Sequence, residues 1–287
     1  QKGNKLEYLG RSLDFTQTGK CILSMNKYVE DCLIGVTGTA DSPAHSDLFK
    51  VGDSKLLSES RREKFHSMVA KLQYLGLKLR HDIALAVSYL VTRVLSANED
   101  DEVKLNRLLK YLNSTAKYNL TMAPDGLELK AIIDASHGVH DDVRGHTGVV
   151  VTIGGSVVWS RSSRQKINTK SSTESELIAV SDKLSDILWC RMFMESLGEV
   201  TKAPLVLCQD NQSTITMIKN GTASTGKSKH IQLRHFWMLQ YVLDGELDLV
   251  YVPTEEMLAD MLTKPLPGVM FKKFVKMLGL GDIRVKR

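Results

Sequence analysis

The spacing of hydrophobic positions changes near residue 124 of the chain. Between residues 65 and 112, three stretches carry apolar side chains at helical spacing, which predicts three helices packed on one another. Two strands are predicted ahead of them, at residues 5–15 and 20–25. Basic residues of the helices, Arg80 among them, are candidate phosphate contacts, although exposed Lys and Arg side chains are usually just solvated.

Beyond residue 124 strands alternate with helices, which is the order of an α/β domain. The turn tripeptide Pro124-Asp125-Gly126 predicts the boundary, so we assign residues 1–124 to one domain and 125–287 to another. The pattern of the second domain predicts strands at residues 127–134, 148–153, 156–160, 205–208 and 248–252, and helices at residues 171–197, 211–219, 229–244, from 254 to Pro265, and at 270–278.

Four acidic residues stand where these elements could bring them together. Asp134 closes the first strand of the second domain, and Asp210 follows the strand at 205–208. If these two strands pair in parallel, both carboxylates reach the same edge of the sheet. Glu176 lies in the first turns of the long helix, and Asp260 lies in the helix after the last strand. Clustered carboxylates repel one another unless cations neutralise them, and hard oxygen ligands suit Mg²⁺ or Mn²⁺.

Two such ions can hydrolyse a phosphodiester, because one activates water and the other stabilises the leaving oxygen. The pattern therefore predicts a metal-dependent nuclease. Each acid also has an ordinary structural explanation. Glu176 could cap its helix together with Thr173. Asp210 could be the N-cap of the next helix, and Asp260 could be a surface charge paired with Lys264.

Composition excludes only a few classes of protein and site. The chain of 287 residues is 43% hydrophobic and 25% charged, as in ordinary soluble proteins, and its net charge of +5 permits a polyanionic partner without requiring one. The four cysteines have no metal-ligand spacing, so a zinc site is not expected. No apolar run approaches the ~18 residues of a membrane span. A start at Gln1 rather than Met predicts a piece of a longer protein.

Three motifs resemble the RNase H domain of copia-type LTR retrotransposon Pol polyproteins. They are Lys170-Ser-Ser-Thr-Glu-Ser-Glu-Leu177, Ser228-Lys-His-Ile231 and Tyr251-Val-Pro-Thr-Glu-Glu-Met-Leu-Ala-Asp-Met-Leu-Thr-Lys-Pro-Leu266. Residues before 124 resemble the end of the same polyprotein's reverse transcriptase, through Tyr8-Leu-Gly, Lys71-Leu-Gln-Tyr-Leu75, and Leu108-Leu-Lys-Tyr-Leu112 followed by Ser114-Thr115. The polymerase motif Tyr-x-Asp-Asp is absent, so this chain is not expected to synthesise DNA.

The resemblance implies an RNase H-like fold, a five-stranded mixed sheet flanked by helices, preceded by a mostly helical thumb and connection segment of reverse transcriptase. It implies two Mg²⁺ ions as cofactor, with Mn²⁺ as an alternative. The family usually has Asp-Trp where this chain has Ser136-His137. The catalytic and metal-binding residues that the resemblance implies are Asp134, Glu176, Asp210 and Asp260.

The implied reaction is endonucleolytic hydrolysis of the RNA strand of an RNA/DNA hybrid during reverse transcription. Such an enzyme must distinguish RNA from DNA through the 2′-hydroxyl, which small polar groups near the metals could do. The candidate substrate-binding residues are Ser136, Arg164, Lys166, Ser172, Thr173, Asn211, Lys229 and His230. The implied partners are the hybrid and the upstream polymerase part of the polyprotein, with no membrane. The implied location is the cytoplasm, in a retrotransposon particle, or the nucleus.

Three other functions stay open from the sequence. The chain could be a non-catalytic scaffold that grips a hybrid, or a host protein derived from such an element. It could also be another nuclease of the same fold, such as an integrase-like strand-transfer enzyme. The integrase-like alternative fits less well, because those enzymes place their glutamate on a late helix, whereas Glu176 lies on the first long helix of its domain.

Overall fold

The structure is a computed structural model that describes residues 3–199, 204–220 and 229–282, without the side chains of 229–233 and 235. In chain order the strands and helices are β1 (Lys5–Tyr8), β2 (Arg11–Asp14), β3 (Cys21–Ser24), α1 (Asn26–Cys32), α2 (Glu59–Lys78), α3 (Ala84–Arg93), α4 (Glu99–Ser114), β4 (Asn119–Met122), β5 (Leu129–Ser136), β6 (His146–Ile153), β7 (Ser156–Arg164), α5 (Ser172–Ser196), β8 (Leu205–Gln209), α6 (Gln212–Asn220), α7 (Lys229–Leu243), β9 (Leu247–Tyr251), α8 (Gly268–Met277) and β10 (Leu280–Gly281). None of the helices in these ranges is both long and apolar enough to cross a membrane.

The chain divides into two compact units. The second unit is Pro124–Thr263, and the first unit contains the described residues before and after it. The second unit begins at Pro124, and the described residues from 264 onward group with the first unit. They do so because β10 pairs with β4 and because the rings of Phe271 and Tyr111 pack edge to face. The domain division at 1–124 and 125–287 stays a prediction.

The first unit contains an antiparallel sheet with the strand order β1-β2-β3-β4-β10. The single strand predicted at residues 5–15 is wrong, because the chain reverses at Leu9 and Gly10, both with positive φ, and forms β1 and β2. Glycine adopts such a φ at no steric cost. Helices α2, α3 and α4 confirm the three predicted helices, and a short 3₁₀ helix, His81–Ile83, precedes α3.

Arg80 is a buried residue of the first unit, so its assignment as a candidate phosphate contact is wrong. Its guanidinium donates from Nε to Asp82 Oδ1 at 2.9 Å and from Nη2 to Thr115 Oγ1 at 2.6 Å. The hydroxyl of Tyr111 donates to the same Asp82 carboxylate at 2.6 Å. A buried charge is tolerated when it is paired and hydrogen-bonded in this way.

The second unit contains a mixed sheet with the strand order β7-β6-β5-β8-β9. Strands β5, β6 and β7 are antiparallel, whereas β8 pairs in parallel with β5 and β9 pairs in parallel with β8. The predicted α/β class and the predicted parallel pairing are confirmed. Because Ile132 lies opposite Cys208, Asp134 and Asp210 stand two residues further on at the same edge of the sheet.

Alternation along β5 separates the core of the second unit from its acidic edge. Ala131 and Ile133 are fully buried in one core cluster with Leu177 and other residues of α5. Side chains of a strand point alternately to opposite faces, so Asp134 and Ser136 belong to the other face. The short helix that contains Asp260 packs on β5 and β6.

The single helix predicted between residue 254 and Pro265 is wrong. The chain forms two short 3₁₀ helices, Thr254–Glu256 and Leu258–Leu262, with Met257 between them at a ψ of 83° that no helix allows. Asp260 therefore lies in a tight turn bonded from its own N–H to the Met257 carbonyl at 3.0 Å. We call residues 258–263 the Asp260 segment.

Candidate active site

Three aspartates converge at the edge of the second unit's sheet. Carboxylate oxygens of Asp134, Asp210 and Asp260 all lie within 4.8 Å of one another. Asp134 and Asp260 are each 3% exposed, whereas Asp210 is half-buried. The three residues come from β5, from the residue after β8 and from the Asp260 segment, so distant parts of the chain meet at one locus.

Hydroxyl groups hold two of these carboxylates in place. The hydroxyl of Thr263 donates to Asp134 Oδ2, and the hydroxyl of Thr254 donates to Asp210 Oδ2 at 3.1 Å. The Asp260 segment is itself fixed to β5, because Ser136 Oγ donates to the carbonyl of Thr263 at 3.0 Å. The position of the carboxylates is therefore set by local polar contacts rather than by the strand backbone alone.

Glu176 lies beside the three aspartates on the second turn of α5 and is 4% exposed. Gln209 links it to Asp210. The Gln209 side chain donates from Nε2 to Glu176 Oε2 at 3.1 Å, and its Oε1 accepts from the backbone N–H of Asp210 at 2.8 Å. The fourth predicted acid is therefore joined to the aspartates through one buried amide.

The pKa of the Glu176 carboxyl reflects both its burial and the negative charges around it. Burial raises the pKa of the Glu176 carboxyl well above its usual range, and the charge of Asp134 raises it further. The hydrogen bond from Gln209 and one from the backbone of Ala135 act in the opposite direction, while Asp210 adds to the rise. A bound cation would favour the ionised carboxyl and would offset the repulsion among the acids.

The capping explanations for Glu176 and Asp210 do not hold in the structure, and Asp260 is not at the surface. The N-cap of α5 is Ser171, whose hydroxyl accepts from the N–H of Glu174, so Glu176 lies beyond the cap. The side chain of Asn211, not Asp210, accepts from the N–H of Thr214 at the start of α6, at 3.1 Å. Asp260 is buried rather than a surface charge.

Carboxylate oxygens at this spacing fit Mg²⁺ or Mn²⁺, which prefer hard oxygen ligands. The three aspartates each offer one oxygen, all within 4.8 Å of one another, and Glu176 lies outside this group but close enough for its charge to interact with Asp134 and Asp210. No soft sulfur or imidazole belongs to the group, so the donor set does not favour zinc or copper.

Several candidate substrate-binding residues use their side chains inside the protein. Ser136 bonds the Asp260 segment, and Asn211 caps α6. Arg164 donates to the carboxylate of Asp142 and is half-buried. Thr173 is half-buried on the first turn of α5.

Two further candidates are exposed. Lys166 follows β7, and Ser172 is the first residue of α5, so both side chains face solvent next to the long helix. The side chains of Lys229 and His230 lie outside the described residues. The substrate-binding set stays a prediction.

Sequence reasoning missed the residues that support the acids. Gly148 lies opposite both Asp134 and Ser162 in the sheet and makes room for the Asp260 segment. Gln209 donates to the carboxylate of Glu176, and Ser162 donates to the carbonyl of Leu262 in the Asp260 segment. A signal was present at Gln209, a polar residue that closes an apolar strand next to Asp210. No sequence signal identified the role of Gly148, because its contacts lie more than a hundred residues away along the chain.

No family model matches the chain. Among curated relatives, the retrovirus-related Pol polyprotein from transposon RE1 of Arabidopsis thaliana is 29% identical over 267 residues, which cover 91% of this chain and 18% of that protein. The corresponding polyprotein from transposon RE2 of the same plant is 31% identical over 220 residues, which cover 76% of this chain and 15% of that protein. The chain thus spans less than a fifth of the length of these relatives.

A solved structure of the foamy viral protease–reverse transcriptase in complex with an RNA/DNA hybrid has a similar fold. It matches 92% of this chain and 30% of that chain with a TM-score of 0.51 and 11% sequence identity. The mixed five-stranded sheet with flanking helices agrees with this similarity. The chain is therefore related along most of its length to the Pol polyproteins of copia-type LTR retrotransposons, and its second unit has the RNase H-like fold that the sequence motifs imply.

Proposed function

We propose that the second unit is a ribonuclease H, a divalent-metal-dependent endonuclease that hydrolyses the RNA strand of an RNA/DNA hybrid. The convergence of Asp134, Asp210 and Asp260 within 4.8 Å, next to Glu176, carries this proposal. The relatives are Pol polyproteins of retrotransposons, and the structural neighbour holds an RNA/DNA hybrid, which supports a hybrid as the substrate. The upstream polymerase part of such a polyprotein is the proposed partner, and a retrotransposon particle is the proposed location.

Asp134, Asp210 and Asp260 would hold one cation, and Glu176 would add its carboxylate for a second. When bound, a pair of Mg²⁺ or Mn²⁺ ions supplies the Lewis acidity that activates water and stabilises the leaving oxygen of the RNA strand. The carboxylates must be ionised to bind a cation, so the hydroxyl of Thr263 and the amide of Gln209 assist by donating hydrogen bonds to them.

The exposure of the acids indicates how a substrate would approach. Asp134, Glu176 and Asp260 are buried, whereas Asp210 is half-buried and its hydrogen-bond partner Thr254 is exposed. A scissile phosphate would therefore reach the cations from the side of Asp210 and Thr254. The burial of the other acids keeps bulk water from them and strengthens their attraction for the cation.

A cleavage assay with the whole 287-residue chain tests the proposal. The labelled substrates are an RNA/DNA hybrid, an RNA duplex and a DNA duplex, each incubated with Mg²⁺ or with EDTA. We expect cleavage of the RNA strand of the hybrid only, and only with Mg²⁺. Equal cleavage of all three substrates, or cleavage that survives EDTA, would contradict the proposal.

The variant Asp210→Asn separates an enzyme from a scaffold. Removing one ligand charge should abolish cleavage while hybrid binding is retained, because Lys166 and the other basic residues near α5 are unchanged. Asp248→Asn is the matched control, since Asp248 is an exposed aspartate on the neighbouring strand β9. Binding without cleavage by the unchanged chain would favour the non-catalytic scaffold instead.

A further inference from the structure

A chain of hydrogen bonds that the proposed reaction does not use runs behind the acidic cluster. His140 Nε2 lies 2.9 Å from His146 Nδ1, and His146 Nε2 lies 2.7 Å from Ser162 Oγ. The hydroxyl of Ser162 donates to the carbonyl of Leu262 at 2.7 Å. The chain thus ends on the backbone of the Asp260 segment, two residues after Asp260. All of these residues belong to the second unit.

The donor and acceptor in each of these hydrogen bonds follow from the single proton of the Ser162 hydroxyl. Because that proton is donated in the hydrogen bond to the Leu262 carbonyl, Ser162 Oγ accepts a hydrogen bond from the N–H at His146 Nε2. A neutral imidazole with its proton on Nε2 has an acceptor at Nδ1, so His146 accepts from His140 Nε2. The neutral form of both rings follows from their burial, which lowers the pKa of His140 to about 4 and that of His146 well below its usual value.

The positions of His146 and Ser162 in the sheet explain how these hydrogen bonds can hold the Asp260 segment. His146 and Gly148 are two residues apart on β6 and so point to the same face, and Ser162 lies opposite Gly148 on β7. Asp134 lies opposite Gly148 on the other side. The Asp260 segment is held on this face from two strands, since Ser136 of β5 bonds one of its carbonyls and Ser162 of β7 bonds another.

We propose that His140, His146 and Ser162 form a positioning chain that fixes the Asp260 segment so that Asp260 shares a cation with Asp134 and Asp210. This inference rests on the proposed metal site. Each of the three residues acts through the backbone of the segment, because the hydrogen bonds end on the Leu262 carbonyl. The Asp260 segment is a 3₁₀ turn rather than a strand, and the hydrogen bonds from Ser136 and Ser162 to its carbonyls hold it on the sheet.

Three variants of the whole chain test the positioning role. Ser162→Ala removes the last link with the smallest change, and His146→Leu removes both ring nitrogens. His146→Gln keeps one donor and one acceptor and so can restore the chain. Thr152→Val is the matched control, because Thr152 is buried at the opposite end of β6, away from the Asp260 segment.

The measured quantities are Mn²⁺ affinity, by calorimetry on the protein alone, and hydrogen exchange of a peptide that covers residues 257–263. We expect Ser162→Ala and His146→Leu to weaken Mn²⁺ binding by on the order of tenfold, as loss of an outer-shell partner does, and to speed exchange in that peptide. His146→Gln should keep most of the affinity, and Thr152→Val should match the unchanged chain.

Two results would overturn the inference. One is unchanged Mn²⁺ affinity in Ser162→Ala with only a lower melting temperature, which would mean a purely structural role. The other is equal loss in His146→Gln and His146→Leu. If His146→Leu fails to fold, Ser162→Ala and His146→Gln still decide the outcome. Failure of the proposed function would appear separately, because the unchanged chain would then bind no Mn²⁺ and cleave no hybrid.

Discussion

Gly148 on β6 lies directly opposite Asp134 on β5, and the side chain that it lacks would occupy the space of the Asp260 segment. A Cβ at Gly148 would lie 2.8 Å from the backbone oxygen of Ala259 and equally close to two side-chain atoms of the segment. Backbone atoms cannot move away cheaply, so only glycine allows this approach. Gly148 thus allows the carboxylates of Asp134 and Asp260, which are far apart in the sequence, to lie close together.

Gly148→Ala should therefore displace the Asp260 segment from the sheet. We expect the cleavage rate of an RNA/DNA hybrid to fall at least tenfold, because Asp260 could then not share the proposed cation with Asp134. The free energy of unfolding should fall by about 1–3 kcal/mol, as overpacking of a filled site usually costs. Single-turnover cleavage and urea denaturation measure the two effects.

Gly268→Ala is the control for this substitution, since a Cβ at Gly268 would meet nothing within 4 Å. It should leave both quantities unchanged. A Gly148→Ala protein with full cleavage activity would show that the segment tolerates displacement, against this account of the site.

Glu176→Gln should stabilise the metal-free protein while it abolishes cleavage. Burial and the charges of Asp134 and Asp210 raise the folded-state pKa of Glu176 above its unfolded value. The ionised carboxyl therefore opposes folding, and the opposition grows as the pH rises above the unfolded value near 4.3. Thermal unfolding in EDTA at pH 8 should show a higher melting temperature for the variant, and the difference should vanish near pH 4.

Mg²⁺ gives this prediction a second readout. It should raise the melting temperature of the unchanged chain more than that of Glu176→Gln, because the variant lacks one ligand charge. Glu195→Gln is the control, an exposed acid at the other end of α5 that pairs with Arg191. Its removal should change the melting temperature little, since exposed ion pairs contribute about 0–1 kcal/mol. A lower melting temperature for Glu176→Gln in EDTA would contradict the prediction.

The convergence of Asp134 and Asp210 was accessible from the sequence. Each closes an apolar strand, and the predicted parallel pairing of those strands fixes both at one edge of the sheet. The class of the fold follows from the same order of elements. These features are local or depend on hydrophobic period, which a single sequence displays directly.

The hydrogen bonds that hold the acids in place could not be predicted from the sequence in the same way. Ser162 and Leu262 are a hundred residues apart, and no periodic pattern links a serine hydroxyl to a distant carbonyl. Distant contacts also explain why the helix predicted from residue 254 to Pro265 is wrong. The 3₁₀ turn at residues 258–262 follows contacts with β5 and β6 rather than local helix propensity. The burial of Arg80 is not predictable from the sequence either, because an arginine in a buried ion pair and a solvated arginine look alike there.

Acid should destabilise the second unit through His140. Burial lowers the pKa of His140 to about 4, the charge of Arg164 lowers it further, and Asp141 opposes the change. Because the folded-state pKa lies below the unfolded value near 6.5, the neutral ring supports folding. That stability is complete above about pH 6.5 and is lost as the pH falls toward 4, by on the order of 3 kcal/mol.

His140→Gln isolates this contribution, because glutamine does not titrate yet can still donate to His146 Nδ1. Urea denaturation at several pH values should show a steeper loss of stability for the unchanged chain than for the variant between pH 6.5 and 4. Other groups also titrate in acid, so the difference between the two proteins is the quantity to compare. Parallel curves would exclude His140 as a source of the pH dependence.

The ion pair of Arg80 and Asp82 gives a prediction for the first unit. Burial alone would raise the pKa of the Asp82 carboxyl, but the charge of Arg80 and the hydrogen bonds from Arg80 and Tyr111 together outweigh burial, so the pKa lies below its usual range. The pair therefore supports folding above the unfolded pKa near 3.9 and loses that effect as the pH falls through the lower folded value. Asp82→Asn should cost about 3–5 kcal/mol at pH 7, because it leaves the Arg80 guanidinium buried without a counter-charge.

Two comparisons decide whether the pairing, rather than the burial, is responsible. Glu102→Gln removes a partner of the half-exposed Arg61 and should cost at most about 1 kcal/mol. Replacing both members, as Arg80→Met with Asp82→Leu, should recover much of the loss, since no unpaired charge then remains buried. A double variant less stable than Asp82→Asn would mean that the bonds from Arg80 to Thr115 and from Tyr111 to Asp82 matter more than the charges themselves. Urea denaturation of the four proteins at pH 7 provides that comparison.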